Sequence, residues 1–321
     1  MLSTYARFMR ERYAYLITGT LVLAAAWGLV TPAPGLFLRR FSAPLMVVMI
    51  AAMGFTITIR SLGMATKDWR SFSLGVLLNF VWAPAMCWAL AHLFLFRYPD
   101  LAAGVILIGV VPCAGMALVW AGLLEGDVPL ATVINAFTMI AAPFLIPALM
   151  LLLAGRLVAV APLGMFKTVL YTVLLPLAGG IALREWLGRR TDVKPYLPLM
   201  PAISASAAVL LMFVAVNTAI PPLLQNLGVM LPLVAATVVI FPALFLAAHL
   251  ISATTLPRRK DVAITFSAGM KNLPIALGIA IMSFKGLSML PVAMGFVFQM
   301  LTAVSFYQFF RRSGASIVGR S

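Results

Sequence analysis

Residues 266–278 read FSAGMKNLPIALG in the middle of a long apolar part of the chain. Within hydrocarbon every backbone N–H and C=O group needs a partner, and Pro274 both lacks an N–H and clashes with the preceding helical turn. An interrupted helix at membrane depth therefore has to be buried in protein or to line a water-filled cavity. A lysine at the bilayer centre costs roughly 2.5–3.5 kcal/mol on insertion scales, so Lys271 marks a candidate binding site or pathway. We predict that this stretch forms one half of a membrane transporter's binding site.

The composition indicates an all-α polytopic membrane protein. The chain has 321 residues, of which 63% are hydrophobic and 10% are charged, whereas ordinary soluble proteins have about 25% charged residues. The apolar runs are continuous rather than alternating, which indicates transmembrane helices and not a β-barrel. The net charge of +15 is explained by basic residues in short loops that orient the helices. We therefore expect a lipid bilayer, and no nucleic acid, as a partner.

The apolar segments carry little catalytic chemistry. Cys87 and Cys113 fall in separate apolar segments and give no sign of a disulfide framework. These segments hold no acid–base pair and no cluster of metal ligands. The sequence thus argues against an enzyme and predicts neither a metal nor a cofactor.

Ten apolar segments can be counted between polar or Pro/Gly-rich breaks. The predicted spans are Tyr13–Val30, Phe41–Ile59, Phe72–Phe96, Leu101–Leu124, Val128–Ala154, Phe166–Trp186, Leu197–Ala219, Leu227–Ser252, Val262–Phe284 and Leu287–Phe310. The first span follows several arginines and resembles a signal peptide, but it is long for one and is followed by the poor cleavage sequence TPAP. We therefore expect an uncleaved first helix.

The distribution of charge predicts the orientation. If both termini lie on one side, the loops of that side collect sixteen basic residues and the opposite loops collect six. This bias predicts cytoplasmic N- and C-termini in a multi-pass protein of the inner membrane. All eight acidic residues fall in loops or at helix ends, so Lys271 has no carboxylate partner along its own helix.

The two halves of the sequence repeat one pattern. The motif AHL occurs at 91–93 and again at 248–250, each time at the end of a segment that opens with LGVLL or LGVML. We therefore predict two five-helix repeats, residues 1–157 and residues 158–321. Because each half has an odd number of helices, the second half is inverted in the membrane, as in many secondary transporters.

The repeat gives the opening stretch a partner, the sequence VVPCAGM at 110–116. We predict that Pro112 and Gly115 interrupt the fourth helix, as Gly269 and Pro274 interrupt the ninth. Two such breaks near the midplane offer unpaired backbone groups and four half-helix ends. The N-terminal ends attract anions, and the free carbonyls of the C-terminal ends attract cations.

Several short motifs resemble the bile acid:sodium symporter superfamily, which includes an arsenite-exporter branch. They are MGFT at 53–56, LLNF at 77–80, GLLEGD at 122–127 and GMKN at 269–272, which is similar to the family's Gly-Met-Gln-Asn. The resemblance implies ten helices in two parts. Helices 1, 2, 6 and 7 would form a panel, and helices 3–5 and 8–10 a core in which broken helices 4 and 9 cross.

The departures from the sodium-coupled members concern the sodium ligands. Ser267 stands in place of a glutamate, Lys271 in place of a glutamine, and Asn79 in place of a glutamine of helix three. Further family ligands fall at Ala117, Leu118, Ala131 and Asn135. Losing the glutamate and gaining an ammonium argues against sodium binding at these positions.

The comparison with the arsenite branch is mixed. Cys113 followed by ALVW at 117–120 is similar to that branch's Cys…Val-x-Val-Trp pattern. The branch's arginine before the cysteine is Pro112 here, and its helix-nine glutamate falls at Pro274. A thiolate suits a metalloid, but a cysteine in this setting is more often a small packing residue than a ligand.

The candidate substrate- or ion-binding residues lie around the two breaks. Lys271 would replace the missing cation, bind an anionic substrate, or load and release a proton. The alternative is a lysine whose side chain extends to the membrane interface. Other polar side chains either line the same pocket or only join helices: Asn272, Asn79, Asn135, Ser267 and Gln299. We expect His92 and His249 to cap helix ends at the interface rather than to relay protons.

The sequence therefore predicts a secondary active transporter that carries a small organic anion by alternating access, without the usual sodium coupling. An arsenite or metalloid exporter that uses Cys113 is the alternative among transporters. A non-transporting membrane receptor or scaffold is the alternative from another class. The substrate, the direction of transport, the coupling ion and the oligomeric state stay open.

Overall fold

The computed structural model describes residues 2–58, 68–225, 227–284 and 287–318, and within these ranges the protein is helical throughout, without a β-strand. The helices are α1 Leu2–Val30, α2 Ala33–Arg39, α3 Ser42–Gly54, α4 Trp69–Leu95, α5 Pro99–Val110, α6 Met116–Leu123, α7 Val128–Ala154, α8 Pro162–Gly188, α9 Leu199–Leu224, α10 Leu227–Ala253, α11 Arg258–Gly269, α12 Leu273–Ser283 and α13 Met289–Val318. The following residues of the sequence predictions lie outside the described ranges: Ile59, Arg60, Lys67, Lys285 and Arg320.

Among the described residues, six helices are long and apolar enough to cross a membrane: α4, α7, α8, α9, α10 and α13. A seventh span results if α1 and α2, which meet at 116°, are taken together. Helices α3, α5 and α12 are apolar but shorter. The all-α membrane class is thus confirmed, and the arrangement of ten spans in two inverted halves stays a prediction.

Asparagine and aspartate side chains start several helices. Asp127 accepts a hydrogen bond from the Leu130 N–H (3.0 Å) at the start of α7, and Asn272 accepts one from the Ile275 N–H (3.4 Å) at the start of α12. Such side chains satisfy N–H groups that have no partner within the helix. Pro129 and Pro274 occupy the first turns of these two helices, where a missing N–H costs nothing.

Helices α4 and α8 each contain a π-helical turn, Leu78–Trp82 and Leu170–Leu174. The two turns are followed by Pro84 and Pro176. A π turn bonds each N–H to the carbonyl five residues earlier, so one carbonyl loses its usual partner. In α4 this loss creates a contact at the candidate site.

The bend between α1 and α2 is held by Asn217 of α9, which is fully buried. Its Oδ1 accepts a hydrogen bond from the Gly35 N–H (2.9 Å), and its Nδ2 donates to the carbonyls of Ala24 (3.4 Å) and Thr31 (3.3 Å). These bonds satisfy the backbone groups that the bend exposes. Residues 31–40 lie in a break between two predicted spans, and the structure places the short helix α2 there.

The helices pack in two groups. In the first group α9 packs against α1 and α3, and α3 packs against α8; in the second group α4–α7 pack against α10, α11 and α13. Helix α12 packs against α3 and α9 of the first group as well as α13 of the second. Gly278 of α12 has no room for a Cβ atom because the Met46 side chain of α3 lies against it. The two groups are thus joined along α12 and also where α8 packs against α7, whereas α6 and α11 pack mainly within the second group.

Candidate functional site

Two interrupted helices meet at the centre of the candidate site. Between α5 and α6 and between α11 and α12 the chain becomes extended, and Cys113 and Lys271 form an isolated antiparallel bridge. The Ala114 N–H donates to the Met270 carbonyl (2.9 Å), and the Asn272 N–H donates to the Pro112 carbonyl (2.8 Å). Each break thereby satisfies backbone groups of the other, as burial requires.

Side chains of α7 satisfy the remaining backbone groups of Cys113. The Cys113 N–H donates to the Thr138 hydroxyl (3.3 Å), and the Cys113 carbonyl accepts from Asn135 Nδ2 (2.9 Å). The Thr138 hydroxyl in turn donates to the Asn135 carbonyl (3.0 Å). We predicted Asn135 from the sequence but not Thr138. The signal that could have found Thr138 is its position three residues after Asn135, on the same face of one helix.

Gln299 of α13 has the corresponding role at the second break. Its Oε1 accepts a hydrogen bond from the Lys271 N–H (2.8 Å), and the residue is 7% exposed. Gln299 and Asn135 therefore bind the main chain of the two central residues, so both hold the extended segments in place.

The Lys271 side chain reaches Asn79 of α4. Its Nζ donates to both the main-chain oxygen and the Oδ1 of Asn79 (3.1 Å each), and Lys271 is fully buried. The main-chain oxygen is available because of the π turn. The Ala83 N–H donates to the Leu78 carbonyl, and Pro84 has no N–H to give to Asn79.

The orientation of the Asn79 amide is fixed by its other atoms. Asn79 Nδ2 donates to the Gly75 carbonyl (2.9 Å) and to the Ser267 carbonyl (3.2 Å), so Oδ1 is the atom that faces the ammonium. Asn79 thus joins α4, α11 and Lys271. Its bond to Ser267 is made to the main-chain carbonyl of that residue. The buried Ser267 hydroxyl has no hydrogen-bond partner among the described residues.

The charge of Lys271 is not balanced by a carboxylate within the described part of the chain. The ion pairs there join His249 to Asp261 and Lys260 to Asp68, and neither reaches Lys271. An ammonium has three N–H donors, and both acceptors described for it belong to Asn79. The helices α6 and α12 also begin at the crossing, and their N-terminal ends add partial positive charge.

Asn272 lies beside the bridge at the boundary of the two helix groups. Its Oδ1 caps α12, and its Nδ2 faces the sulfur atoms of Met139 (3.6 Å) and Met53 (3.9 Å). Met53 belongs to α3 and Met139 to α7. Asn272 is thus a predicted site residue that contacts both helix groups.

The residues that we expected to break the helices act in different ways. Pro112 lies in the extended segment, and Pro274 lies in the first turn of α12 rather than inside a helix. Gly269 ends α11, where a Cβ would lie against the Phe245 ring, so its role is close packing. Gly115 caps α6 with φ −59°, an angle that any residue adopts, and a Cβ there would meet only the Met53 methyl at 3.4 Å.

The two histidines have unequal surroundings. His92 Nδ1 lies 2.9 Å from the Trp88 carbonyl one turn earlier in α4, so this contact stays within one helix and the capping role stays a prediction. His249 instead pairs with the buried carboxylate of Asp261 (3.0 Å), so the expectation of simple capping is wrong for this residue.

Comparison with known proteins identifies the family. The model of the Sodium Bile acid symporter family matches residues 43–226, which is more than half of the chain. The chain belongs to the sodium bile acid symporter family. This membership confirms the resemblance drawn from the short motifs. The family is one of membrane transporters and not of enzymes.

Individual relatives match parts of the chain. A probable sodium/metabolite cotransporter BASS1 from Oryza sativa is 31% identical over 50% of this chain and 38% of its own length. The uncharacterized sodium-dependent transporter YocS of Bacillus subtilis is 27% identical over 50% of this chain and 49% of its own length. The arsenical-resistance protein Acr3 of Corynebacterium glutamicum is 40% identical over 19% of this chain and 16% of its own length. The chain therefore spans less than half the length of these symporter-family relatives.

Proposed function

We propose that the protein is a secondary active transporter that carries a small organic anion across the membrane by alternating access, without a sodium ion at the crossing. The observation that carries the proposal is the buried Lys271 ammonium, bonded to two oxygens of Asn79 and to no described carboxylate. The relatives named as sodium-dependent supply the transporter class but not this residue's role.

The ammonium takes the place of a coupling cation. Its two hydrogen bonds join α4 to the crossing, which is the connection that a bound cation would otherwise supply. A sodium ion about 4 Å from this charge would be repelled by about 4 kcal/mol at an effective dielectric constant near 20. Ser267, which stands where the resemblance places a sodium-binding glutamate, offers no negative charge to offset that repulsion.

The same features favour an anionic substrate. Helices α6 and α12 both direct their N-terminal ends at the crossing, and such ends stabilise anions. Lys271 adds a full positive charge and a further N–H donor. Half-helix N-termini that face a substrate carboxylate at mid-membrane are a recurrent arrangement in secondary transporters.

We further propose that the chain spans the membrane ten times, in two inverted halves of residues 1–157 and 158–321, with both termini in the cytoplasm. Counting each broken pair, α5–α6 and α11–α12, as one span supports this number, and the sixteen-to-six charge bias supports the orientation. The helix group of α1, α3, α8 and α9 corresponds to the panel, and the other group to the core. Protons are the coupling ions that we propose in place of sodium, with the inner membrane as the location.

A metalloid exporter is the second candidate. Cys113 lies at the bridge, and a thiolate is a suitable ligand for a soft metalloid. The identity with an arsenical-resistance protein over a short stretch points the same way. Against this, the Cys113 thiol is buried and donates to the Ala114 carbonyl (3.4 Å), and the full sequence has one other cysteine.

Transport by purified protein in proteoliposomes tests the proposal. The assay is uptake of radiolabelled monocarboxylates, dicarboxylates and steroid carboxylates, with sodium replaced by potassium on both sides. We expect uptake of at least one anion class that is indifferent to this replacement and is lost in Lys271→Gln. Uptake that requires sodium would refute the coupling proposal, and uptake by Lys271→Gln at the parent rate would refute the role of the lysine.

A further inference from the structure

A buried carboxylate lies outside the crossing, at the opposite end of α11. Asp261 is 4% exposed and stands in the first turn of that helix, while Lys271 follows its last turn. The two residues are ten positions apart, which is about 15 Å along a helix at roughly 1.5 Å per residue. One rigid half-helix therefore joins Asp261 to the crossing.

Asp261 is surrounded by hydrogen-bond donors. Its carboxylate accepts from the hydroxyls of Ser252 (2.5 Å) and Thr265 (3.1 Å) and lies 3.0–3.1 Å from His249 Nδ1. The carboxylate oxygens thus accept two hydroxyl hydrogen bonds and leave the imidazole nitrogen to donate a third. We therefore assign the proton of the neutral imidazole to Nδ1, which leaves Nε2 as a free basic nitrogen.

The second nitrogen of His249 has room to take a proton. The His249 side chain is 18% exposed, and its Nε2 has no hydrogen-bond partner among the described residues. The rings of Phe306, Phe309 and Phe310 pack edge-on against the imidazole. A proton on Nε2 would turn a pair with one net negative charge into a neutral ion pair, in a place where aromatic rings reduce the access of water.

No other charged group of the neighbouring helices is described in contact with the His249–Asp261 pair. On α11, the Arg258 guanidinium donates to the Phe310 carbonyl (2.8 Å), and Lys260 pairs with Asp68 (2.7 Å) at the start of α4. On α13, Arg312 lies two residues beyond Phe310, and Arg70 of α4 lies at the same end. Within the described residues, no second carboxylate faces His249.

The other half of the sequence lacks this arrangement. Asp261 lies twelve residues after His249, and the residue twelve positions after His92 is Gly104. A Cβ at Gly104 would already collide with the Ser288 carbonyl, and His92 packs on Trp88 instead. The carboxylate thus stands at this position in one half of the sequence and not in the other. The pattern that the two halves share does not require it.

We propose that His249 and Asp261 form a proton-binding site, and that protons bound there are coupled to transport through α11. The coupling rests on the transport function proposed above, whereas the binding of protons does not. The site lies four residues before the end of α10, beside the basic start of α11.

Nuclear magnetic resonance of the two histidines tests proton binding directly. The sequence has two histidines, so ¹⁵N-histidine-labelled His92→Gln protein in lipid nanodiscs reports His249 alone. We expect a neutral Nδ1–H imidazole at high pH and an imidazolium at low pH within about pH 5–9. In Asp261→Asn the imidazolium form should be lost at a pH where the parent shows it. Ser252→Ala, which keeps the carboxylate, should retain it and guards against a misfolded variant. A His249 signal that stays the same across this range would overturn the proposal.

The pH profile of anion uptake tests the coupling. We expect uptake that depends on an imposed proton gradient in the parent and in His92→Gln, and that loses this dependence in His249→Gln. An unchanged gradient dependence in His249→Gln would overturn the coupling. If the parent carries no anion at all, the proposed function fails, and the resonance experiment still decides whether the site binds protons.

Discussion

The Nζ atom of Lys271 lies 3.1 Å from the main-chain oxygen of Asn79 and 3.1 Å from its side-chain oxygen. The first contact exists because a π turn and Pro84 together leave that carbonyl without a partner in its own helix. The second exists because the amide nitrogen of Asn79 is held by two other carbonyls. A helix defect on α4 thus provides the acceptor for a charge on the broken helix.

Lys271→Met should nearly abolish transport while the protein still folds. The side chain keeps its approximate volume but loses two charge-assisted hydrogen bonds, of about 1.5–3 kcal/mol each. The loss of even one such bond corresponds to roughly a 10–100-fold drop in transport rate at low substrate, since about 1.4 kcal/mol is tenfold. Initial uptake rates measure the effect, with the exposed Lys167→Met as the matched control. Equal losses in both variants would contradict a specific role for Lys271.

Gly269→Ala should destabilise the protein by about 1–3 kcal/mol, as overpacking of a core usually does. The added methyl group would collide with the ring of Phe245, which is fully buried. Gly115→Ala is the control at the other break, because its methyl group would meet only the Met53 methyl at 3.4 Å. Thermal unfolding in detergent compares the two. A Gly115→Ala variant that is the less stable one would show that this explanation of the breaks is wrong.

Expression of the protein should not protect cells against arsenite. A metalloid is held best by several thiolates, and the sequence has only Cys87 and Cys113, both of them buried. Growth of an arsenite-sensitive strain measures this, with the parent, Cys113→Ser and Cys87→Ser compared with the empty vector. Tolerance that Cys113→Ser loses and Cys87→Ser keeps would favour the metalloid exporter instead.

The ion pair of Lys260 and Asp68 should make a small, pH-dependent contribution to stability. Lys260 lowers the pKa of Asp68 by its hydrogen bond, partly offset by burial. A lowered pKa stabilises the fold above the unfolded value of about 3.9, and this contribution disappears as the pH falls through the folded value. Because the side chains are 31% and 34% exposed, Lys260→Ala should cost less than about 1 kcal/mol at neutral pH.

The measurement is the difference in unfolding free energy between Lys260→Ala and the parent at pH 7 and near pH 3. The difference should shrink at the lower pH, and Lys194→Ala, at an exposed position, should show no such trend. A cost that is equal at both pH values would mean that Lys260 acts by packing alone.

The sequence was sufficient to locate the two breaks. Pro112 and the stretch from Gly269 to Pro274 stand out because proline, glycine and lysine are costly inside an apolar helix. The structure interrupts the chain between Val110 and Met116 and between Gly269 and Leu273. The family could be recognised as well, because its short motifs occur in order.

Other features could not be derived from the sequence. The acceptor of Lys271 depends on a shift of hydrogen-bond register in α4, which Pro84 permits but does not prescribe. The pairing of His249 with Asp261 depends on how α10 packs against α11, and periodicity within one helix cannot show which faces of two helices meet. The bend of α1 depends on Asn217, nearly two hundred residues away.

Binding of radioactive ²²Na⁺ to the purified protein tests most directly whether the Lys271 ammonium takes the place of a sodium ion. Scintillation proximity in potassium buffer gives saturable binding as a function of sodium concentration, for the parent and for Asn79→Leu. We predict no saturable sodium binding by the parent at millimolar concentrations. Saturable binding by the parent that disappears in Asn79→Leu would contradict this prediction, because sodium would then occupy the position assigned to the lysine.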